Sequence, residues 1–111
     1  MDFLTRLEKS RQTKVDIDGQ VYVIRAPTQA ELAEDGAFGT LDLVRRFVVD
    51  WPGMTEIGLG LPGGTPEPVP FSRELWVAWI DEQDVIWPRL SAAIRNHYMT
   101  RHANQEADAK N

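Results

Sequence analysis

Alternating apolar and polar positions mark a β-hairpin near the start of the chain. The alternation runs over residues 14–25 and is interrupted at its centre by Asp18-Gly19. Asp-Gly between two alternating runs is typical of a two-residue hairpin turn. Such a turn pairs Ile17 with Gln20 and gathers four apolar side chains on one face: Val15, Ile17, Tyr22 and Ile24. An isolated hairpin is only marginally stable, so this face predicts a covering layer of helices.

Apolar residues at helical spacing predict three helices before residue 52. Residues 2–10 form a short amphipathic stretch, which must dock on the body or fray. Thr28 and Glu31 occupy the two positions of a capping box that begins the next helix, and Gly36 is expected to end it. Residues 41–51 place five apolar side chains on one face and predict a single helix that Pro52-Gly53 terminates.

The second half of the chain predicts further helices and a polar end. Ser72 is a candidate helix N-cap, and Phe71 and Trp76 stand where a hydrophobic staple would pack across it. Pro88 requires a helix start or a break near Trp87, after which one apolar helical stripe follows: Leu90, Ala93, Ile94, His97 and Tyr98. Residues 103–111 are polar and are predicted to form a disordered tail.

Residues 52–70, here called the arm, are too rich in proline and glycine to form a helix. The segment contains five prolines and five glycines. Its last part, residues 65–70, alternates proline with other residues and is predicted to run extended, close to polyproline II. The whole pattern predicts one globular domain over residues 1–102 that includes the arm. The predicted fold class is α+β, mainly α-helical with a small N-terminal β-hairpin.

The composition argues against several functions. The chain has 111 residues and no cysteine, which excludes disulfides, thiolate catalysis and zinc–cysteine sites and fits the cytoplasm better than secretion. Its net charge of −5 disfavours binding to nucleic acid or to anionic lipid, since both require a basic surface. No apolar run approaches the roughly 18 residues of a membrane span, and the charged start does not resemble a signal peptide.

The glycine pattern over residues 58–63 matches a dinucleotide-binding motif in its letters only. The motif requires a preceding strand and a helix that opens directly after it, so that free amides face the pyrophosphate. Here Pro62 lies inside the pattern and Gly64-Thr65-Pro66 follows, so no helix is expected to begin there. We interpret the segment as part of the arm and expect no nucleotide cofactor.

The spacing of polar residues yields no catalytic or metal-ligating set. His97 and His102 are five residues apart, whereas two helical ligands of one metal lie three or four apart. We interpret His97 as a satisfied histidine at the edge of the core and His102 as solvated. The acidic residues at 81, 82 and 84 lack the spaced ligand loop of calcium sites and are interpreted as a solvated helix end. We therefore expect no cofactor, no metal and no enzymatic activity.

Four tryptophans are many for a chain of this length. Aromatic rings bury large areas, so a place in the core is the first interpretation. Tryptophan is also enriched where proteins bind one another, which makes a partner-binding surface the second interpretation. The candidate partner-binding residues are Trp51, Phe71, Trp76, Trp79 and Trp87. Some of these rings are expected to pack against the prolines of the arm.

Three motifs follow one another along the chain. They are Tyr22-Val23-Ile24-Arg25-Ala26-Pro27-Thr28 at the end of the hairpin, Phe47-Val48-Val49-Asp50-Trp51-Pro52-Gly53-Met54 at a helix end, and Glu67-Pro68-Val69-Pro70-Phe71-Ser72-Arg73-Glu74-Leu75 at a helix start. In this order they resemble the tail assembly chaperones of long-tailed phages and prophages, over residues 14–100. The chain departs from the family pattern in residues 55–65, where its insertion is longer.

The resemblance implies binding without catalysis in the cytoplasm of the host cell. Proteins of that family coat the tape measure protein, a very long helical and partly apolar chain, and keep it soluble. They then give way to the tail tube protein as the tube polymerises. Many are made in two forms by ribosomal frameshifting, and this chain would be the short form, which an extension would join at the polar tail from Ala103. Self-association of this chain is a further possibility.

Two alternatives also stay open. The first is a structural phage morphogenesis protein, such as a tail-terminator or head–tail joining subunit, which would remain in the virion. The second is a small enzyme or ligand-binding module, for which the sequence offers no recognisable set of residues.

Overall fold

Five helices and three short strands make up the described part of the chain. The computed structural model describes residues 2–35 and 39–110, with side chains for residues 2–34 and 39–105. In chain order the elements are α1 (Phe3–Ser10), β1 (Gln12–Ile17), β2 (Gln20–Arg25), α2 (Gln29–Asp35), α3 (Thr40–Phe47), β3 (Val48–Asp50), α4 (Arg73–Ile80) and α5 (Trp87–Lys110). The predicted α+β class is confirmed.

The predicted hairpin is present with the predicted register. β1 and β2 pair antiparallel, and Ile17 lies opposite Gln20. Asp18 and Gly19 both have positive φ, +53° and +91°, as a turn that matches the twist of the two strands requires. The amide of Gly19 also donates to the carboxylate of Asp16 at 2.9 Å, which stabilises the turn.

A third strand stands where the sequence predicted the end of a helix. The predicted helix over residues 41–51 ends at Phe47, and Val48–Asp50 pairs antiparallel with β2 through Ile24 and Val48. The prediction of one continuous helix is therefore wrong. The cause is that Val48 and Val49 are β-branched and lie beside the free edge of β2, where strand pairing satisfies backbone groups on both sides.

The core lies between one face of the sheet and helices α3, α4 and α5. Ile17, Tyr22 and Ile24 line that face and are each 4% exposed or less. Helix α5 contacts both strands of the hairpin and packs along α3. The covering layer of helices that the hairpin required is therefore present.

Two predicted helix caps are formed. In the capping box, the amide of Glu31 donates to the hydroxyl of Thr28 at 3.1 Å, and the amide of Thr28 donates to the carboxylate of Glu31 at 3.0 Å. At α4 the hydroxyl of Ser72 accepts from the amide of Leu75 at 3.1 Å. Helix α2 is described up to Asp35, and its predicted end at Gly36 lies outside the described residues.

The two terminal helices differ from expectation in opposite ways. Helix α1 is capped by Asp2 and its end is held by a hydrogen bond of 2.9 Å from Arg101 to the carbonyl of Ser10, but none of its residues is fully buried, so of the two expected outcomes it docks only at its end. Helix α5 continues to Lys110, through residues for which the sequence predicted disorder. Residues 103–110 contain three alanines and neither glycine nor proline, and extending an existing helix avoids the cost of nucleating a new one.

Candidate interaction surface

The arm folds back on itself as an irregular paired loop. Three backbone hydrogen bonds of 2.8–3.2 Å join its two limbs, from the amides of Val69, Glu56 and Ile57 to the carbonyls of Met54, Glu67 and Thr65 respectively. The prolines at 66, 68 and 70 have no amide to donate, and their alternation leaves the residues between them to form these bonds. The proline-rich segment is thus one limb of an ordered loop.

Two tryptophan indoles hold this loop against the body. The Nε1 of Trp51 donates to the carbonyl of Val69 at 2.8 Å, and the Nε1 of Trp79 donates to the carbonyl of Leu59 at 2.9 Å. Met54 and Leu59 anchor the arm from its own side, at 2% and 7% exposed. The five prolines of the arm are all exposed. The expectation that the rings pack against these prolines stays a prediction.

Five aromatic residues form one connected cluster centred on Trp51, the other four being Tyr22, Phe71, Trp76 and Trp79. Its ring centroid lies 5.3 Å from that of Phe71, 5.9 Å from that of Trp76 and 6.2 Å from that of Trp79. All three pairs meet at 71–88°, the edge-to-face arrangement that aromatic quadrupoles favour. Trp76 also contacts Tyr22, and its indole donates to the carbonyl of Val44 at 3.0 Å.

Burial divides the five candidate partner-binding residues. Trp51 and Trp76 are 1% and 0% exposed, which agrees with the first interpretation of these rings, a place in the core, and leaves no surface of theirs exposed for a partner in the chain as folded here. Both belong to the core, because their rings fill it and their indole nitrogens are satisfied within it. Phe71, Trp79 and Trp87 are half-buried at its edge, and a role for them in binding stays a prediction.

Four amides of the glycine pattern in the arm are already bonded and are not free to bind a phosphate. Each amide of residues 58–61 is bonded within the arm: Gly58 to the Thr55 hydroxyl, Leu59 to the Thr55 carbonyl, Gly60 to the Ile57 carbonyl and Leu61 to the Glu56 carbonyl. No helix follows until α4. The interpretation of this segment as part of the arm is confirmed.

A groove of about 560 Å³ lies between residues 58–62, here called the arm tip, and the outer face of α4. Helical spacing brings Leu75, Ala78 and Trp79 to that face, and Glu82 borders the groove from the turn that follows α4. Leu61 contributes from the arm tip and is 46% exposed. The groove therefore combines apolar side chains with the carboxylate of Glu82.

Acidic charge is concentrated in the same part of the chain. Residues 50–84 carry seven acidic side chains and one basic side chain, a net charge of −6, so the rest of the chain carries +1. The one base, Arg73, donates to the carbonyls of Arg45 and Val48 at 2.7 and 2.6 Å. Burial, and after it the nearby Arg25, lower the pKa of Arg73.

Among the acidic residues on and just after α4, Asp81 forms an ion pair, whereas Glu74, Glu82 and Asp84 form none with the residues that the structure describes. Asp81 pairs with Arg45 through hydrogen bonds of 2.9 and 3.0 Å, and these bonds raise the pKa of Arg45. Glu74, Glu82 and Asp84 are exposed and form no ion pair within the described part of the chain. The acidic character of the groove is thus not cancelled internally. Sequence reasoning missed Leu61 and Glu82, although a count of charges by segment would have found this asymmetry.

The histidines take part in structural contacts. The Nε2 of His97 lies 2.9 Å from the carbonyl oxygen of Arg11, which confirms its interpretation as a satisfied histidine at the core edge. His102 stacks on Tyr98 and contacts the Gln29 side chain at 3.1 Å, so it is partly buried and only in part solvated. Within residues 2–35 and 39–110, no group of three or more potential ligands is placed to hold a metal.

Over the same described ranges, none of the helices combines the length and the apolar character that crossing a bilayer requires. Comparison with known proteins finds no match to this chain among family models, curated proteins or solved structures.

Proposed function

We propose that this chain is a tail assembly chaperone of a long-tailed phage or prophage, which binds the tape measure protein without catalysis and later gives way to the tail tube protein. The proposal starts from the three motifs at residues 22–28, 47–54 and 67–75. These motifs are adjacent in the fold, since Ile24 pairs with Val48 and the indole of Trp51 bonds the carbonyl of Val69. The motifs that carry the resemblance therefore build one structural unit.

The observation that carries the proposal is the exposure of large apolar side chains. Seven of them among the described residues are at least 46% exposed: Phe3, Leu4, Leu7, Ile57, Leu61, Val85 and Met99. Three lie on α1, none of whose residues is fully buried. A chain of this size that keeps a whole apolar helix face in solvent is suited to cover apolar surface on another protein.

The net charge of −5 complements this exposed apolar surface. A net charge well away from zero makes copies of a protein repel one another, which reduces non-specific self-association through apolar patches. A long helical client also offers many equivalent sites, and several copies bound along it would gain avidity. These properties support the proposed holding function.

Co-expression with the tape measure protein encoded in the same phage genome tests the proposal. We expect the client to become soluble and to co-purify with this chain, because its apolar helices are covered. The matched comparison uses two variants on α1: Leu4→Ser with Leu7→Ser on the apolar face, and Glu8→Ser with Lys9→Ser on the polar face. Loss of solubilisation is expected only in the first. An equally insoluble client with no complex formed would contradict the proposal.

Purified virions separate this function from that of a structural tail-terminator or head–tail joining subunit. A chaperone leaves before the tail is complete and is expected to be absent from mature particles by mass spectrometry. Detection in stoichiometric amounts would replace the chaperone proposal with the structural alternative.

A further inference from the structure

We propose that the groove between the arm tip and α4 binds a basic, amphipathic helical segment of a partner protein. The inference deepens the proposed function and rests on it for the existence of a protein client. The groove is lined by residues 58–62 of the arm tip and by Leu75, Ala78, Trp79, Glu82 and Gln83.

The groove is accessible and has apolar side chains on both of its walls. Leu61 is 46% exposed on the arm side. Opposite it, Leu75 and Trp79 are half-buried, so each of these side chains packs inward with one side and faces the groove with the other. Apolar side chains of a partner would find contacts on both walls.

The backbone of the arm tip favours a helix over an extended strand as the occupant. An added strand requires unpaired amides and carbonyls at an edge. The amides of residues 58–61 are all bonded within the arm, Pro62 has none, and the carbonyl of Leu59 accepts from Trp79. Recognition must therefore use side chains, as it does when an amphipathic helix lays its apolar stripe into a groove.

Charge selects a basic partner. Glu82 lines the groove from the turn after α4, Glu74 lies on α4 one turn before Ala78, and neither forms an ion pair within the described residues. The surrounding segment, residues 50–84, has a net charge of −6, and its only base is tied to backbone carbonyls. A helix with lysine or arginine beside its apolar stripe would be attracted to this surface, and an acidic helix would be repelled.

Three synthetic helical peptides test the inference on the full chain by isothermal titration calorimetry. The first combines a leucine stripe with lysines, the second has the same composition in scrambled order, and the third replaces the lysines with glutamates. We expect the first to bind at least tenfold more tightly than either of the others, because only it matches both the apolar lining and the charge. Equal binding of all three, or no binding, would overturn the inference.

Amide chemical shifts and two pairs of variants locate the bound peptide. Shifts are expected in the arm tip and α4. Leu61→Ser and Glu82→Lys should each weaken binding about tenfold, whereas Val85→Ser and Glu34→Lys, which change similar residues outside the groove, should leave it within about twofold. Binding that maps to α1, or that responds equally to both pairs, would contradict the groove as the site.

The two proposals fail in distinguishable ways. If the tape measure protein forms a complex that Leu61→Ser and Glu82→Lys leave intact, the groove inference fails and the chaperone function stands. If the lysine peptide binds the groove and the tape measure protein does not bind at all, the groove stands and the chaperone function fails.

Discussion

The indole nitrogen of Trp79 donates a hydrogen bond of 2.9 Å to the carbonyl oxygen of Leu59 and so ties helix α4 to the arm tip. Leu59 is 7% exposed, and its side chain belongs to the hydrophobic core against which Trp79 packs. Glycine-rich backbone has high conformational entropy when free, so an anchor of this kind is needed to keep the arm tip in one position. The groove exists only while that position is held.

Replacing Trp79 with phenylalanine is expected to lower the free energy of unfolding by about 1 kcal/mol, because the carbonyl of Leu59 loses its donor. Amides of the arm tip should exchange with solvent faster. Trp87→Phe is the matched control, since Trp87 is also half-buried and its indole forms no hydrogen bond within the described residues. Urea unfolding and hydrogen exchange measure both effects. Equal arm exchange in the two variants would contradict the anchor.

Gly64→Ala is expected to destabilise the arm by about 2 kcal/mol through crowding. A Cβ at this position would lie 2.9 Å from the carbonyl oxygen of Leu61 and 3.1 Å from that of Glu56, and both are backbone atoms that cannot turn away. At Gly39, an added Cβ would meet Asp42 at an ordinary 3.4 Å. Thermal unfolding of Gly64→Ala and Gly39→Ala compares them. A loss of stability for Gly64→Ala that is smaller than that for Gly39→Ala would show that the arm backbone relaxes to accommodate the added methyl group.

Glu31 is expected to make stability depend on pH in the acid range. Two hydrogen bonds of 2.8 Å from Arg25, and then the amide of Thr28, lower the pKa of Glu31 from 4.5 to about 2. Because the folded state lowers this pKa, the stabilisation is complete above pH 4.5 and is lost as the pH falls towards 2.

Urea unfolding between pH 7 and pH 2.5 measures this dependence. Glu31→Gln should be less stable than the wild type by about 2 kcal/mol at pH 7, and the difference should shrink below pH 4.5. Glu34→Gln, on the same helix but exposed and without an ion pair in the described part of the chain, serves as the control. A constant difference across this range would contradict the role of Glu31.

Ser91→Ala is expected to raise the free energy of unfolding by about 0.5–1 kcal/mol. Ser91 is 1% exposed, and its hydroxyl has no hydrogen-bond partner within the described residues. Removing an unpaired buried polar group is favourable, and alanine also has the higher helix propensity. Thr100→Ala, at an exposed position of α5, isolates the propensity effect. A loss of stability at position 91 alone would show that the hydroxyl is bonded in solution.

Local signals along the chain were sufficient for the hairpin and the helix caps. The register of Ile17 and Gln20 follows from one Asp-Gly turn, and the bonds between Thr28 and Glu31 join groups three residues apart. Such features depend on neighbours in the sequence, so the pattern contains all that they need.

The end of α3 shows where local signals are ambiguous. Residues 41–51 have helical spacing, yet Val48–Asp50 is a strand because β2 lies beside it with an open edge. Whether residues 48–50 reach the edge of β2 depends on the course of the chain between residues 25 and 48. The pattern within residues 41–51 alone therefore cannot predict this strand. The acidic charge of residues 50–84 can be counted in the sequence. Only the fold shows that this charge borders a groove with apolar side chains of α4 on its wall.

The sequence by itself determined the α+β class, the turn at Asp18-Gly19, the caps at Thr28 and Ser72, and an arm that cannot be a helix. Only the tertiary structure decided which aromatic rings are inside. Trp51 and Trp79 carry the same indole, but one is fully buried and the other borders a groove. The physical reason is that burial is a property of packing between distant elements, whereas capping and turn formation are properties of a few consecutive residues.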